Sequence, residues 1–455
     1  MAELLAPRHR RSTRRAEDTL HDVAVVGGGP VGLFTAILLA RHGLDVTVLE
    51  QRTARSSHSR AIGIHPPALA VLDDAGVGAA LLAAGVRIRR GTARSRGREV
   101  ASLSFASVPG PHPYVLAVPQ VITEQLLEEQ LEGLLPGALR RGVQVYSADD
   151  DGATVTLSCR LGARPGAGTR AGIGPGSETC VGEAAGAGTR AGIAPGSETC
   201  AGEAGAATVP DAGHAADPGE VSIRARLVVA ADGAYSALRR QRGVTVRTRM
   251  YPDAYLMGDF ADGTADGTAD GSTAVLYLEA GGIVESFPLP GGTRRWVARM
   301  PGVVSHPTAA GLASLIARRT GGGPEPDSCS MLSAFSVSSR MPRRLISGRL
   351  ALIGDAAHQI SPIGGQGMNL GWLDAAALAP IMAAALRGEP TARALRQFEA
   401  DRRRAAATAT WQAHLNMALG RPLPSAVLAA RNHVFAALTH IPGAQDAVAS
   451  RFTMH

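Results

Sequence analysis

The chain reads as an α/β protein built on a parallel sheet, with a smaller mixed β-sheet domain and helices toward its C-terminal end. Three observations carry this expectation. A strand, glycine turn, helix and second strand occupy residues 21–49. Two later apolar runs, at 227–231 and 350–353, each meet an Asp and a Gly where the chain must turn. Between 246 and 334 the pattern changes to short, strand-like runs with a single helical stretch.

The elements come in order. Residues 1–20 are basic but hold no apolar core, so a disordered leader is expected rather than a targeting signal. Residues 21–26 form a strand, Gly27–Gly32 a turn, 33–41 a helix and 45–49 the next strand, a β-α-β unit. A helical pattern spans 61–86, ending near Gly85, and a second spans 120–134 with apolar positions at 122, 126, 127 and 131. Strands are expected at 153–159 and 220–230. Between them lies a Gly/Ala/Pro-rich insertion with a tandem repeat, 166–184 and 186–204, identical at 17 of 19 positions with a period of 20. Each copy offers Ile and little else to stack, so a hairpin-tip expansion, disordered over 162–218, is expected rather than a solenoid. Such an insertion costs only about 2 kcal/mol in loop closure relative to a short turn. A smaller repeat at 261–272 spaces Asp262, Asp266 and Asp270 by four, which fits no calcium loop, and reads as another expanded turn.

Strands at 256–260, 275–278, 283–289 and 294–300 and a helix at 308–319 come next, then helices at 367–387 and 391–419. The expected domains are 21–85 with 112–245 and 335–400; 86–111 with 246–334; and a C-terminal helical region, 401–455. With no run of 18 apolar residues, no membrane span is expected.

Composition narrows the chemistry. At 455 residues and 45% apolar content the chain is globular, and the net charge of +7 comes with no lysine at all. All 46 basic residues are arginine and asparagine occurs three times, a skew that reads as GC-rich codon bias. The arginines are scattered and aromatics make up 4%, so no nucleic-acid partner is expected. Without lysine there is neither a Schiff base nor a lysine general base. Cys159, Cys180, Cys200 and Cys329 form no CxxC pair, which argues against a disulfide framework or zinc site and fits the reducing cytoplasm.

Three motifs carry function. In Gly27-Gly28-Gly29-Pro30-Val31-Gly32, the first glycine permits the tight turn, Gly29 lets a pyrophosphate approach, and Gly32 lets helix and strand pack. Glu50, followed by Gln51, ends the next strand, placed for ribose hydroxyls. The second motif is Asp232-Gly233, with Ser236 able to cap the segment after it and Arg239 beyond. The third sets Asp355 before Gly364, Gly365 and Gly367 at the start of a helix, which suits a ligand bearing both hydroxyls and phosphates.

In this order, over nearly the whole chain apart from the leader and the two repeats, these motifs resemble the FAD-dependent aromatic-ring monooxygenases of the para-hydroxybenzoate hydroxylase fold, of the phenol hydroxylase-like group. The resemblance implies a discontinuous, Rossmann-like FAD-binding domain and a substrate domain. It implies that Asp355 binds the ribityl or ribose region of FAD, and that Gly365, Gly367, Met368 and Asn369 meet the isoalloxazine and pyrophosphate. It sets Asp232 near the flavin and the nicotinamide path, Arg60 on the phosphates and Gln120 on the cofactor. Ala70 replaces an acid usual in the family. Pro362 matches the proline whose carbonyl faces the substrate, and His358 a frequent family position, so both are the catalytic candidates. Tyr255, Tyr277, Phe287 and Arg299 are candidate substrate contacts. The implied chemistry is NAD(P)H reduction of the flavin, formation of a C4a-hydroperoxyflavin from O2, and attack on a small phenolic or other electron-rich aromatic, as in aromatic natural-product biosynthesis. No second dinucleotide fingerprint is present, so NAD(P)H is expected to dock transiently. Epoxidation and Baeyer–Villiger oxidation use the same flavin and stand as alternatives, as does an FAD-binding regulator without turnover. Flavin halogenases, which need a lysine and a WxWxIP segment, do not match.

Overall fold

A computed structural model describes residues 19–55, 61–162, 219–263, 271–438, 441 and 443–454. The leader up to residue 18, Arg60, the repeat insertion at 163–218 and the middle of the Asp-rich repeat, 264–270, lie outside the described residues.

The first sheet has eight strands, with Leu20–Val26 at its centre. This strand is parallel to Val46–Glu50 on one side and to Glu220–Ala230 on the other, and Glu220–Ala230 is in turn parallel to Leu350–Leu352. Near-continuous Val, Leu and Ala explain why these strands are buried toward their carboxyl ends. The register places Val26 beside both Leu49 and Ala230, and Ala230 beside Leu352. Three segments far apart in sequence therefore end at one edge: Gly27, Asp232 and Asp355 all come after strands that stop together. Such a carboxyl edge is where open α/β sheets bind ligands. Val155–Leu161 and Val143–Asp150 extend the sheet as antiparallel strands.

Two helices cover the central strands. Pro30–Arg41 and Gln366–Leu386 pack so closely that a methyl at Gly371 would collide with Val31. Trp372, fully buried, donates its indole N–H to the carbonyl of Pro30 at 3.1 Å. Among the described residues, Gln366–Leu386 is the one helix long and apolar enough to cross a membrane. Its Trp372, Ala375, Leu378, Ala379 and Met382 show what the apolarity serves here, which is packing into the first domain's core.

The second sheet has seven strands, ordered Met331–Pro342, Val246–Ala261, Thr293–Met300, Val284–Leu289, Thr273–Tyr277, Arg90–Ser95 and Arg98–Ser104. Helix Ala309–Thr320 covers its outer face, and its inner face turns toward the ligand edge of the first sheet. A small sheet of Gly63–Ile64, Val115–Ala117 and Val86–Ile88 lies between the two.

Three expectations need correction. The pattern at 61–86 forms two helices, Pro66–Asp74 and Gly78–Ala84, because Gly76 takes a left-handed φ of 86° between them. Residues 335–342, expected with the first domain, continue a strand paired to Val246–Ala261 in the second sheet. The helix Ala392–Leu419 runs unbroken across the boundary expected at 400.

Candidate functional site

One cavity of about 1210 Å³ lies between the carboxyl edge of the first sheet and the inner face of the second. Gly27, Gly29, Pro30, Val31, Glu50 and Gln51 line it from the first motif. Asp232 and Gly233 line it from the second, and Asp355, Pro362, Gly365, Gly367 and Met368 from the third. Gln120 faces it from the start of helix Gln120–Leu134.

The glycines divide by role. Gly27 has φ 106°, a conformation that L side chains rarely adopt, and a methyl there would strike the Ala231 carbonyl. At Gly32 a methyl would collide with the carbonyl oxygen of Gly27, so this glycine closes helix against turn more than against the strand. Gly29 differs: its backbone is extended and a methyl would meet nothing within 4 Å. The space beside it is open to a ligand. No side chain caps the helix that Gly29 begins, and none caps Gln366–Leu386, which begins at Gly365 with φ 67°. Two helices of 12 and 21 residues thus bring uncapped N-terminal N–H groups to one cavity, a surface fitted to a pyrophosphate.

The acids are held in distinct states. Glu50 accepts hydrogen bonds from the Gly28 N–H (2.6 Å), the Arg52 N–H (2.8 Å) and the Arg52 guanidinium (2.9 Å). Burial pushes its pKa up, but these donors outweigh burial and hold it below the usual carboxylate value. Asp232 Oδ2 accepts from the Ala237 N–H at 2.8 Å, while its buried Oδ1 has no protein partner among the described residues. Burial prevails there over the hydrogen bonds and raises its pKa. Asp355 stands on the cavity floor, deep in the protein but open to the cavity itself. Burial raises its pKa against the pull of His358 and Arg239, an effect felt in full when a ligand displaces the cavity water.

Several residues build the site without facing it. Ser236 Oγ accepts from the Arg239 N–H at 3.0 Å, the expected cap. Buried Arg239 donates to the carbonyls of Ala234 and Ala356, both at 2.7 Å, and so ties the second motif to the third. Asn369 is fully buried. Its side chain accepts from the His65 N–H (2.8 Å) and donates to the carbonyls of Gly63 (2.9 Å) and Gly365 (2.7 Å). His358, a catalytic candidate, lies outside the cavity lining, its Nε2 2.6 Å from Asp374 Oδ2. Asp374 also accepts from the Gly354 N–H at 3.1 Å and from Arg402 at 2.7 Å. This cluster fixes the turn that presents Asp355, and His358 belongs to it.

Of the four candidate substrate contacts, Phe287 lines the cavity. Tyr277 does not: Leu276 and Leu278 face inward, so strand alternation turns Tyr277 out onto Trp296, ring to ring at 5.9 Å. Tyr255 is buried against Phe335 at 5.7 Å, in a cluster that Met417 closes. Arg299 forms an ion pair with buried Asp253 at 3.0 Å, which Arg421 shares. Sequence reasoning missed His65, which lines the cavity beside Gly364, with burial lowering its pKa to about 4. It also missed Glu285, Arg295 and Phe335. The inward phase of Val284–Leu289, where Glu285 and Phe287 alternate with Val284 and Ser286, is the signal that locates the first of these.

Residues 21–170 and 198–413 match the FAD binding domain family. Rifampicin monooxygenase of Streptomyces venezuelae is 30% identical over 393 residues, 84% of this chain and 68% of that protein. The 6-methylpretetramide 4-monooxygenase of Streptomyces rimosus is 28% identical over 389 residues, 84% of this chain, and the chain spans only 58% of its length. Para-nitrophenol 4-monooxygenase of a Pseudomonas species is 26% identical over 406 residues, 85% of this chain and 84% of that protein. In fold, the p-nitrophenol 4-monooxygenase of Pseudomonas putida superposes with a TM-score of 0.75 at 23% identity, covering 96% of this chain and 98% of its own. With the matched motifs meeting at one cavity and these relatives all named monooxygenases, the chain belongs to the FAD binding domain family of flavin-dependent aromatic monooxygenases.

Proposed function

We propose that the protein hydroxylates a phenolic or similarly electron-rich aromatic compound, taking one oxygen atom from O2 and electrons from NAD(P)H. The observation that carries this reading is the single cavity shared by the three cofactor motifs and the apolar inner face of the second sheet. FAD, when bound, supplies the chemistry: it takes hydride from the nicotinamide and activates O2 for transfer to the ring. The protein supplies position and dryness. Glu50, kept ionised, accepts from ribose hydroxyls in front of Gln51. Gly29, Pro30 and Val31 bring a helix N-terminus to the pyrophosphate, with Gly32 setting the turn. Asp355 would hold hydroxyls farther along the cofactor, Gln120 and Asp232 would border it, and the backbone of Gly365, Gly367 and Met368 would face its ring system. Asn369 holds that backbone in place, and Pro362, in the cavity lining, would stand between cofactor and substrate. Met257, Leu276, Leu278, Val297 and Phe335 line the facing wall and exclude water from the reacting atoms. NAD(P)H docks transiently. Relatives named for rifampicin, 6-methylpretetramide and para-nitrophenol support an aromatic substrate of any size from one ring to several. The free cysteines Cys159 and Cys329 support a cytoplasmic setting.

Purification and a panel of phenols test this. The protein should be yellow, oxidise NAD(P)H faster when a phenol is added, and place labelled oxygen from O2 in the product. A protein that cannot be loaded with FAD would sink the reading. A yellow protein that fails to oxidise NAD(P)H with every phenol tried would instead be a flavin-binding regulator.

A further inference from the structure

The facing wall of the cavity is largely apolar around one unpaired acid. Met257, Leu276, Leu278, Phe287, Val297 and Phe335 contribute carbon, while Glu285 contributes a carboxyl. It sits on strand Val284–Leu289 in the inward phase, and the residue is 8% exposed. Among the described residues its carboxyl makes no hydrogen bond and no ion pair, and burial alone drives its pKa up to about 7. The cation on the same wall, Arg295, is committed to Asp259 by two hydrogen bonds of 2.6 and 2.7 Å. Tyr255 is near enough to sense the charge, but its hydroxyl makes no hydrogen bond among the described residues.

An acid in such a place is costly. With no protein partner it keeps only the water of the cavity, and a ligand that displaces this water without replacing its hydrogen bonds leaves the carboxyl with nothing in return. A valine or leucine would complete the wall, in keeping with the carbon that surrounds it. Retention of the acid makes physical sense if a ligand brings the missing donor. At this wall the geometry disfavours an anionic group, because Arg295 is already neutralised by Asp259 and a second negative charge would face Glu285.

We infer that Glu285 is a substrate-recognition residue, accepting a hydrogen bond from a hydroxyl or amino group on a neutral aromatic ring and selecting against aromatic carboxylates. This deepens the monooxygenase reading and rests on it. With Glu285 as acceptor, the donor oxygen or nitrogen keeps more electron density, which flows into the ring that is to be oxidised. One such contact holds the ring in a single orientation over the floor formed by Pro362 and Gly365, so regiochemistry depends on it.

The test is calorimetric titration of the FAD-loaded protein with three probes: 2-naphthol, 2-methoxynaphthalene and 2-naphthoate. Wild type should bind 2-naphthol roughly ten- to a hundredfold tighter than the methyl ether, and 2-naphthoate most weakly. Glu285→Leu should erase the naphthol preference and relieve the exclusion of naphthoate. Glu285→Gln, whose amide oxygen still accepts, should keep part of the preference. Because each comparison is a ratio within one variant, partial misfolding does not mimic the result. Naphthol preference surviving in Glu285→Leu, equal binding of 2-naphthol and its methyl ether by wild type, or no naphthol binding at all would overturn the assignment. Flavin content and NAD(P)H oxidation, measured on the same samples, report separately on the monooxygenase reading.

Discussion

Single residues decide what the cavity can hold. Gly29 and Gly32 lie three positions apart in one motif yet predict opposite phenotypes. Gly29→Ala should fold with an unchanged melting temperature and lose FAD affinity, since its methyl enters only ligand space. Gly32→Ala should lower stability by about 1–3 kcal/mol or more even without FAD, because the methyl overpacks against the Gly27 carbonyl. Thermal melts of the apoproteins beside FAD titrations separate the two. Asp355→Ala should weaken FAD by roughly ten- to a hundredfold, as expected for losing hydrogen bonds to a charged group. Cys329→Ser should leave FAD content and turnover as they are. Normal FAD binding by the Asp355 variant would remove that acid from the site. Glu285 adds a pH signature. Its folded pKa of about 7 lies above the ordinary 4.5, so between these values the native state binds the extra proton. Stability therefore falls as pH rises through this window, by at most about 3 kcal/mol. Tyr255, Arg295, Asp253 and Arg299 surround this region, and Glu285→Gln leaves them all in place. Denaturant melts of that variant should show the decline reduced.

At the scale of elements, the site exists because the cofactor-bearing segments are bolted together by side chains that never touch the cofactor edge. Trp372 joins helices Pro30–Arg41 and Gln366–Leu386, and Arg239 joins the second motif to the third. Asp374 is the densest junction, with His358, Arg402 and the Gly354 N–H converging on it. Burial raises its pKa, yet His358 and Arg402 overcome this and hold it low. His358 responds in kind: burial lowers its pKa, and Asp374 more than restores it. The histidine's contribution is thus complete below the ordinary value of 6.5 and is lost as pH rises through its raised folded pKa. Asp374→Asn should cost about 3–5 kcal/mol, because it strands the buried His358 and the half-buried Arg402. Its melts should also lose the decline above pH 6.5 that this pair adds to wild type.

Across the whole molecule, the residues that flank the long insertion are paired with each other. Strands Val155–Leu161 and Glu220–Ala230 pair up to Arg160 and Glu220, and the Leu161 N–H reaches the Gly219 carbonyl at 2.8 Å. The hairpin is closed before the insertion begins. Replacing residues 163–218 with a short glycine turn should leave FAD content and turnover unchanged, with stability equal or slightly higher. Loss of FAD on that deletion would show that the insertion reaches the site.

The β-α-β opening, the identity of the cofactor motifs and most element boundaries are legible in the chain alone. Each of these is local: a glycine is demanded by its own turn, a helix by its own period, and an acid by the strand it ends. Even the Ser236 cap is readable there, since donor and acceptor lie three residues apart. Which side chains face the cavity is settled elsewhere, by the packing of distant segments. Tyr255, Tyr277 and Arg299 have the chemistry of substrate contacts, but a neighbouring aromatic, strand phase and Asp253 direct them away. His358 sits in a functional motif yet serves a structural junction with Asp374, sixteen residues later in the chain. Glu285 has the look of an ordinary charged residue until the second sheet sets it, without a protein partner among the described residues, opposite the cofactor edge. Orientation and pairing arise from contacts between segments far apart in the chain, and no local pattern encodes them.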